Sequence, residues 1–142
     1  ITQPTPTFSA CYGAAFLMLP PTRYASVLAE KMAETQAEAW LVNTGWNGAG
    51  ERLSLRDTRN IINAILEGTI AENDTQLPIF GLAIPSQVPG VDDALLDPRN
   101  GWASAEEWQQ EATKLAQLFI ANFEQYTRTE EGARIAQAGP AL

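Results

Sequence analysis

Apolar residues recur along this chain at helical spacing in three long stretches. From Thr22 onward, Tyr24, Val27, Leu28 and Met32 repeat with Arg23, Glu30, Lys31 and Glu34 elsewhere, which predicts an amphipathic helix to about Gln36. A second helix is predicted from about Asp57 to Leu66, carrying Ile61, Ile62, Ile65 and Leu66 inward, with Gly68 placed to stop it. The third opens on Ser104 and Glu107, a capping-box pair, and runs along Trp108, Ala112, Leu115, Phe119, Asn122, Phe123 and Tyr126. Thr127 with Glu130 repeats the box and opens a last short helix that Gly139 and Pro140 end.

Shorter apolar runs read differently. Ala39 to Val42 predicts a short buried strand, Leu53 to Leu55 a brief extended piece, and Leu77 to Pro85, with prolines at 78 and 85, a second strand. Phe8 to Leu19, bracketed by Pro4, Pro6, Pro20 and Pro21, fits either a short buried helix or an extended core segment, and periodicity leaves both open. Gln87 to Gly101 is rich in turn chemistry, with Val91, Leu95 and Leu96 set to pin it to a core. The pattern as a whole predicts an α/β fold in which a few strands are packed with helices, one domain over residues 1–142.

Composition narrows the function classes. The 142 residues are 45% apolar, enough for a real core, and 9 basic against 17 acidic residues leave a net charge of −8. That balance argues against a nucleic-acid footprint, and no apolar run is long enough for a membrane span or shaped like a secretory leader, so the expected location is cytoplasmic. Cys11 is the lone cysteine and histidine is absent, so neither an internal disulfide, a zinc site nor a Cys-His nucleophile is expected; Cys11 reads as a small buried apolar residue. The opening Ile1-Thr2-Gln3-Pro4-Thr5-Pro6 suggests a cut end, hence a missing upstream part of the same chain.

The candidate chemistry is concentrated between Asn43 and Arg59. Three glycines within Gly45-Trp46-Asn47-Gly48-Ala49-Gly50-Glu51-Arg52 give the frame of a P-loop. Where that motif needs Lys followed by Ser or Thr, to reach phosphates and magnesium, it has Glu51 and Arg52. A carboxylate at that place repels phosphates. Two readings remain open locally: a connecting turn whose glycines permit close packing, or a segment whose Arg52 and Thr58 contact a base or ribose, since a guanidinium lies flat on an aromatic ring and a hydroxyl both donates and accepts. Asp92, Asp93 and Asp97 resemble a metal cluster by composition, but in a turn-rich loop they read as capping or solvated groups. Arg99 reads as an internal anchor for that loop. Trp40, Trp102 and Trp108 read as packing residues, and Trp46 is the tryptophan placed to lie near a ligand.

Several blocks resemble one family. Thr7-Phe8-Ser9-Ala10-Cys11-Tyr12-Gly13-Ala14-Ala15-Phe16, Trp40-Leu41-Val42-Asn43-Thr44-Gly45-Trp46, Asp57-Thr58-Arg59, Ala83-Ile84-Pro85 and Leu96-Asp97-Pro98-Arg99-Asn100 are similar, in order, to the C-terminal region of ATP-dependent phosphoenolpyruvate carboxykinase. The resemblance implies a cytosolic enzyme of gluconeogenesis, a carboxy-lyase that converts oxaloacetate and ATP to phosphoenolpyruvate, carbon dioxide and ADP with magnesium and manganese. It implies an α/β fold, this chain being the C-terminal part of the mononucleotide-binding domain. The residues after the Asn-Thr-Gly-Trp block frame the adenine in that family, and the matching positions are Arg52, Leu53 and Thr58. Glu51 departs from the lysine of some relatives. The family's P-loop, metal-binding lysine, histidine and aspartate, and substrate-binding arginine and tyrosine would lie upstream of Ile1, so no catalytic or metal-binding residue is expected here and the segment by itself is expected to be inactive. The alternative is a non-catalytic α/β binding or scaffolding module that uses its surface for protein contacts.

Overall fold

A computed structural model describes residues 8–10, 13–70 and 75–142. Cys11 lies outside the described residues. The described chain is mostly helical: α1 spans Pro21–Thr35, α2 Leu55–Glu67, α3 Ala105–Phe123 and α4 Glu130–Ala136, with 3-10 turns at Ala14–Phe16, Asp93–Leu95, Pro98–Gly101 and Glu124–Tyr126. Its contacts divide into two compact units, Ile1–Ala39 with Ile120–Gly139, and Trp40–Phe119 with Pro140–Leu142.

In the first unit α1 begins with Pro21 at its first position, where a missing N–H costs nothing, and ends on Gln36 in the left-handed region at φ 54°. Its buried side chains are Thr22 and Ser26 rather than the expected apolar stripe, and Val27 and Leu28 are exposed. The reason is the small partner: α1 meets α4, and Ser26 donates to the Glu131 carboxylate. A two-turn helix with Gly132 buried offers no apolar surface broad enough to cover that stripe. Gly132 is required there, because a Cβ would collide with the Tyr126 carbonyl. The α4 cap is Thr129, whose hydroxyl accepts from the Gly132 N–H at 3.1 Å, not the expected Thr127, which instead donates to the Glu124 carbonyl at 2.9 Å. The expectation of a buried segment before Leu19 also fails: Ala14–Phe16 is a single 3-10 turn and Phe16 is 89% exposed.

The second unit is built on α2. Ser54 caps it, accepting from the Asp57 N–H at 3.0 Å, and Gly68 ends it at φ 64°. Ala64 of α2 packs with Val88 and Val91 from the irregular segment, and Ile61, Ile70 and Leu96 close around them. Ile62 and Leu66, expected inward, are exposed, Leu66 at 80%. Along α3 the buried face is Trp108, Ala112 and Ala116, and the Ser104 hydroxyl accepts from the Glu107 N–H at 3.1 Å as its capping box requires.

Neither expected strand forms. Among the described residues there is no β-ladder, only the isolated antiparallel bridges Trp46 with Arg52 and Gln76 with Ala83. Leu77 to Pro85 folds back on itself: the Leu77 N–H donates to the Leu82 carbonyl at 2.7 Å, the Gly81 N–H to the Leu77 carbonyl at 2.9 Å, and Gly81 sits at φ 63°. Pro78 has no N–H to give a ladder, and a positive φ three residues on turns the chain. Ala39 to Val42 takes part in none of the β-bridges among the described residues, and Leu41 is 82% exposed. A run with the composition of a strand becomes one only when a neighbouring strand takes its backbone groups.

Candidate functional site

The glycine-rich segment is a small closed hairpin. The Leu53 N–H donates to the Gly45 carbonyl and the Asn47 N–H to the Glu51 carbonyl, both at 2.9 Å, and the Gly50 N–H closes the turn on the Asn47 carbonyl at 3.0 Å. Gly50 has φ 78°, a conformation that glycine takes without steric cost. Asparagine side chains complete the frame. Asn43 accepts from the Gly45 N–H through Oδ1 at 2.9 Å and donates to the Trp46 carbonyl through Nδ2 at 3.0 Å. Asn47 accepts from the Glu51 N–H at 2.9 Å and donates to the Glu51 carboxylate at 3.1 Å.

These bonds decide what the loop can hold. A phosphate cradle needs several free backbone N–H groups converging on one anion. Here the N–H groups of Gly45, Asn47, Gly50, Glu51 and Leu53 are all donated within the loop. Glu51, which spoils the P-loop pattern, is a structural partner of Asn47 at the hairpin end.

Arg52 and Leu53 lead from the hairpin into the Ser54 cap, and Thr58 occupies the first turn of α2, its N–H donating to the Ser54 carbonyl at 3.0 Å. The Arg52 guanidinium lies over the Trp46 indole, 5.2 Å from the ring centroid, so the two exposed side chains on facing arms of the hairpin hold one another. Leu53 and Thr58 are half-buried, and the Thr58 hydroxyl has no hydrogen-bond partner among the described residues. A flat cation, an apolar flank and an uncommitted hydroxyl thus border one capped junction. That set suits the face and edge of a heteroaromatic base.

A second loop backs the hairpin. Gly48 has no room for a side chain, because a Cβ there would overlap the Trp102 indole. Gly101 is also tightly placed, its Cβ position lying 3.1 Å from the Gly48 nitrogen and 3.2 Å from the Asn47 Cβ. The loop carrying both is fixed by its own acids. Asp92 accepts from the Ala94 N–H and Asp97 from the Arg99 N–H, each at 2.9 Å, and Arg99 returns two further donors to the Asp97 carboxylate through Nε at 2.9 Å and Nη2 at 2.6 Å. Hydrogen bonding from Arg99 holds the Asp97 carboxyl below its ordinary pKa, against the opposing effect of partial burial, and Asp97 in turn raises that of Arg99. Asp92 and Asp97 are therefore caps and Arg99 an internal anchor. No cluster of acidic or sulfur ligands able to hold a metal occurs among the described residues.

Trp108 is buried, as expected of a packing residue, while Trp40 is partly exposed and Trp102 lies against the hairpin backbone. Sequence reading missed Trp102 as a neighbour of the candidate site. The one signal for it, glycine at both 48 and 101, has meaning only once the two loops are known to meet.

Residues 1–94 of the 142 match the protein-family model described as phosphoenolpyruvate carboxykinase, of the ATP-dependent type. The match includes the whole glycine hairpin, its exit into α2 and the loop up to Ala94.

Proposed function

Because the chain belongs to the ATP-dependent phosphoenolpyruvate carboxykinase family, we propose that it is the C-terminal, adenine-contacting segment of such an enzyme. The complete enzyme would convert oxaloacetate and ATP to phosphoenolpyruvate, carbon dioxide and ADP in the cytoplasm, as a step of gluconeogenesis. ATP with magnesium and manganese would be its cofactors, the metal being held by residues outside this chain. The supporting observation is the Arg52 and Trp46 pair on a hairpin that uses the N–H groups of Gly45, Asn47, Gly50, Glu51 and Leu53 internally. Five of the loop's N–H groups are closed to an anion, and its exposed guanidinium presents a flat face to a base.

In this reading Arg52 would lie on the adenine, Leu53 would flank it and Thr58 would accept from or donate to its polar edge. These residues bind and orient; they transfer no proton. Bound ATP supplies the phosphoryl group, and the chemistry of its transfer rests on charge neutralisation elsewhere in the enzyme. No helix among the described residues is long and apolar enough to cross a membrane.

In the complete enzyme Arg52→Ala is expected to raise the Kd for ATP about tenfold, the loss of one cation–π contact on a base, while oxaloacetate binding stays unchanged. Titration calorimetry with each ligand measures this, and an unaltered ATP affinity removes Arg52 from the site.

A further inference from the structure

We infer that Trp102 is a positioning residue for nucleotide binding: its indole backs the Gly48 peptide and sets where the hairpin presents Arg52. The inference rests on Arg52 contacting the adenine and goes beyond it, because Trp102 itself touches no ligand. The hairpin has few rungs of its own, and a two-stranded hairpin that short does not hold its orientation in water without packing. Asn43, Asn47 and Glu51 fix its internal shape but not its tilt. Tilt is set from outside, where the Trp102 indole fills the space a side chain at 48 would take and Gly101 closes on Asn47.

The wall is cross-braced by its own hydrogen bonds. Arg99 grips Asp97 through two donors, the Trp102 N–H donates to the Arg99 carbonyl at 3.3 Å, and Asn100 reaches the Ala94 carbonyl at 3.3 Å. Removing the indole leaves the Gly48 peptide unsupported and lets the hairpin that carries Trp46 and Arg52 swing. A displaced Arg52 loses its register on the base although nothing near the ligand has been altered.

The test is a double-mutant cycle on the complete enzyme, read by the steady-state KM for ATP and for oxaloacetate and by kcat, with thermal melting as the folding control. Trp102→Ala is expected to raise the ATP KM about fivefold, part of the tenfold expected of Arg52→Ala, with kcat and the oxaloacetate KM unchanged. Trp102→Phe restores most of the loss, since a smaller ring still backs the peptide. Added to Arg52→Ala, Trp102→Ala has no further effect, because both act through one contact. Should Trp102→Ala not fold, Gly48→Ala, which pushes the indole outward, carries the same comparison. A normal ATP KM in Trp102→Ala alongside an impaired Arg52→Ala overturns the role of Trp102 alone. Full additivity in the double variant overturns it too, since Trp102 would then act by another route. A normal ATP KM in Arg52→Ala overturns the adenine contact and, with it, this inference.

Discussion

Two of the side chains at the candidate site hold one another. Trp46, half-exposed at 51%, holds Arg52, and an exposed pair of this kind is worth about 0.5–1 kcal/mol, enough to bias an arginine without locking it. Asp97 and Arg99 show the same economy on the backing loop, where one carboxylate caps a turn and pairs with the guanidinium. Because the folded-state pKa of Asp97 is lowered, the stabilisation from this pair is fully present above the unfolded carboxyl value of about 3.9 and is lost as pH falls through the lower folded value. Asp97→Asn, which keeps an acceptor for the cap, should therefore melt below the parent at pH 6, and the gap should close as pH drops below about 4. Thermal melts of both proteins across that range measure it, and a gap independent of pH would show that the charge of Asp97 contributes nothing.

At the scale of elements, the junction of hairpin and helix matters most. Ser54 is an N-cap tied twice to one residue, its hydroxyl accepting from the Asp57 N–H and donating to the Asp57 carboxylate at 2.6 Å. Ser54→Ala should destabilise the chain by about 1 kcal/mol, the usual cost of a lost cap, seen as a lower urea midpoint with an unchanged m-value. An unchanged midpoint would mean that α2 begins elsewhere. The helices were legible because capping chemistry and spacing are local: Gly68 and the Ser104 box stand where the sequence places them. The cap of α4 was misassigned by two residues, since Thr127 and Thr129 carry the same chemistry and only the turn through Tyr126 decides between them. The strands were misread because a ladder is a relation between segments and no property of one.

Across the whole molecule, each compact unit exposes large apolar side chains. Phe16 and Met18 stand out in the first, and Leu41, Leu55 and Leu66 in the second. Exposed apolar surface of this kind favours association. The chain by itself is expected to self-associate, with an apparent mass by light scattering that climbs with protein concentration. A mass that stays at 15.4 kDa across the range would show that these side chains do not associate.

Sequence alone determined the helices, the Ser104 cap, the Gly68 stop and the family, because each depends on chemistry within a few residues or on an ordered set of motifs. The resemblance also singles out Arg52, Leu53 and Thr58 as the set proposed to face the base. Only the tertiary structure decided which faces are buried. The Val27 and Leu28 stripe stays exposed while Thr22 and Ser26 meet α4, and Ala64 rather than Leu66 enters the core. Burial needs a partner surface, and periodicity states only that a face is ready for one. The approach of Gly48 to Trp102 belongs to the same class of fact: two residues far apart in sequence meet because loops, unlike helices, are placed by what they pack against.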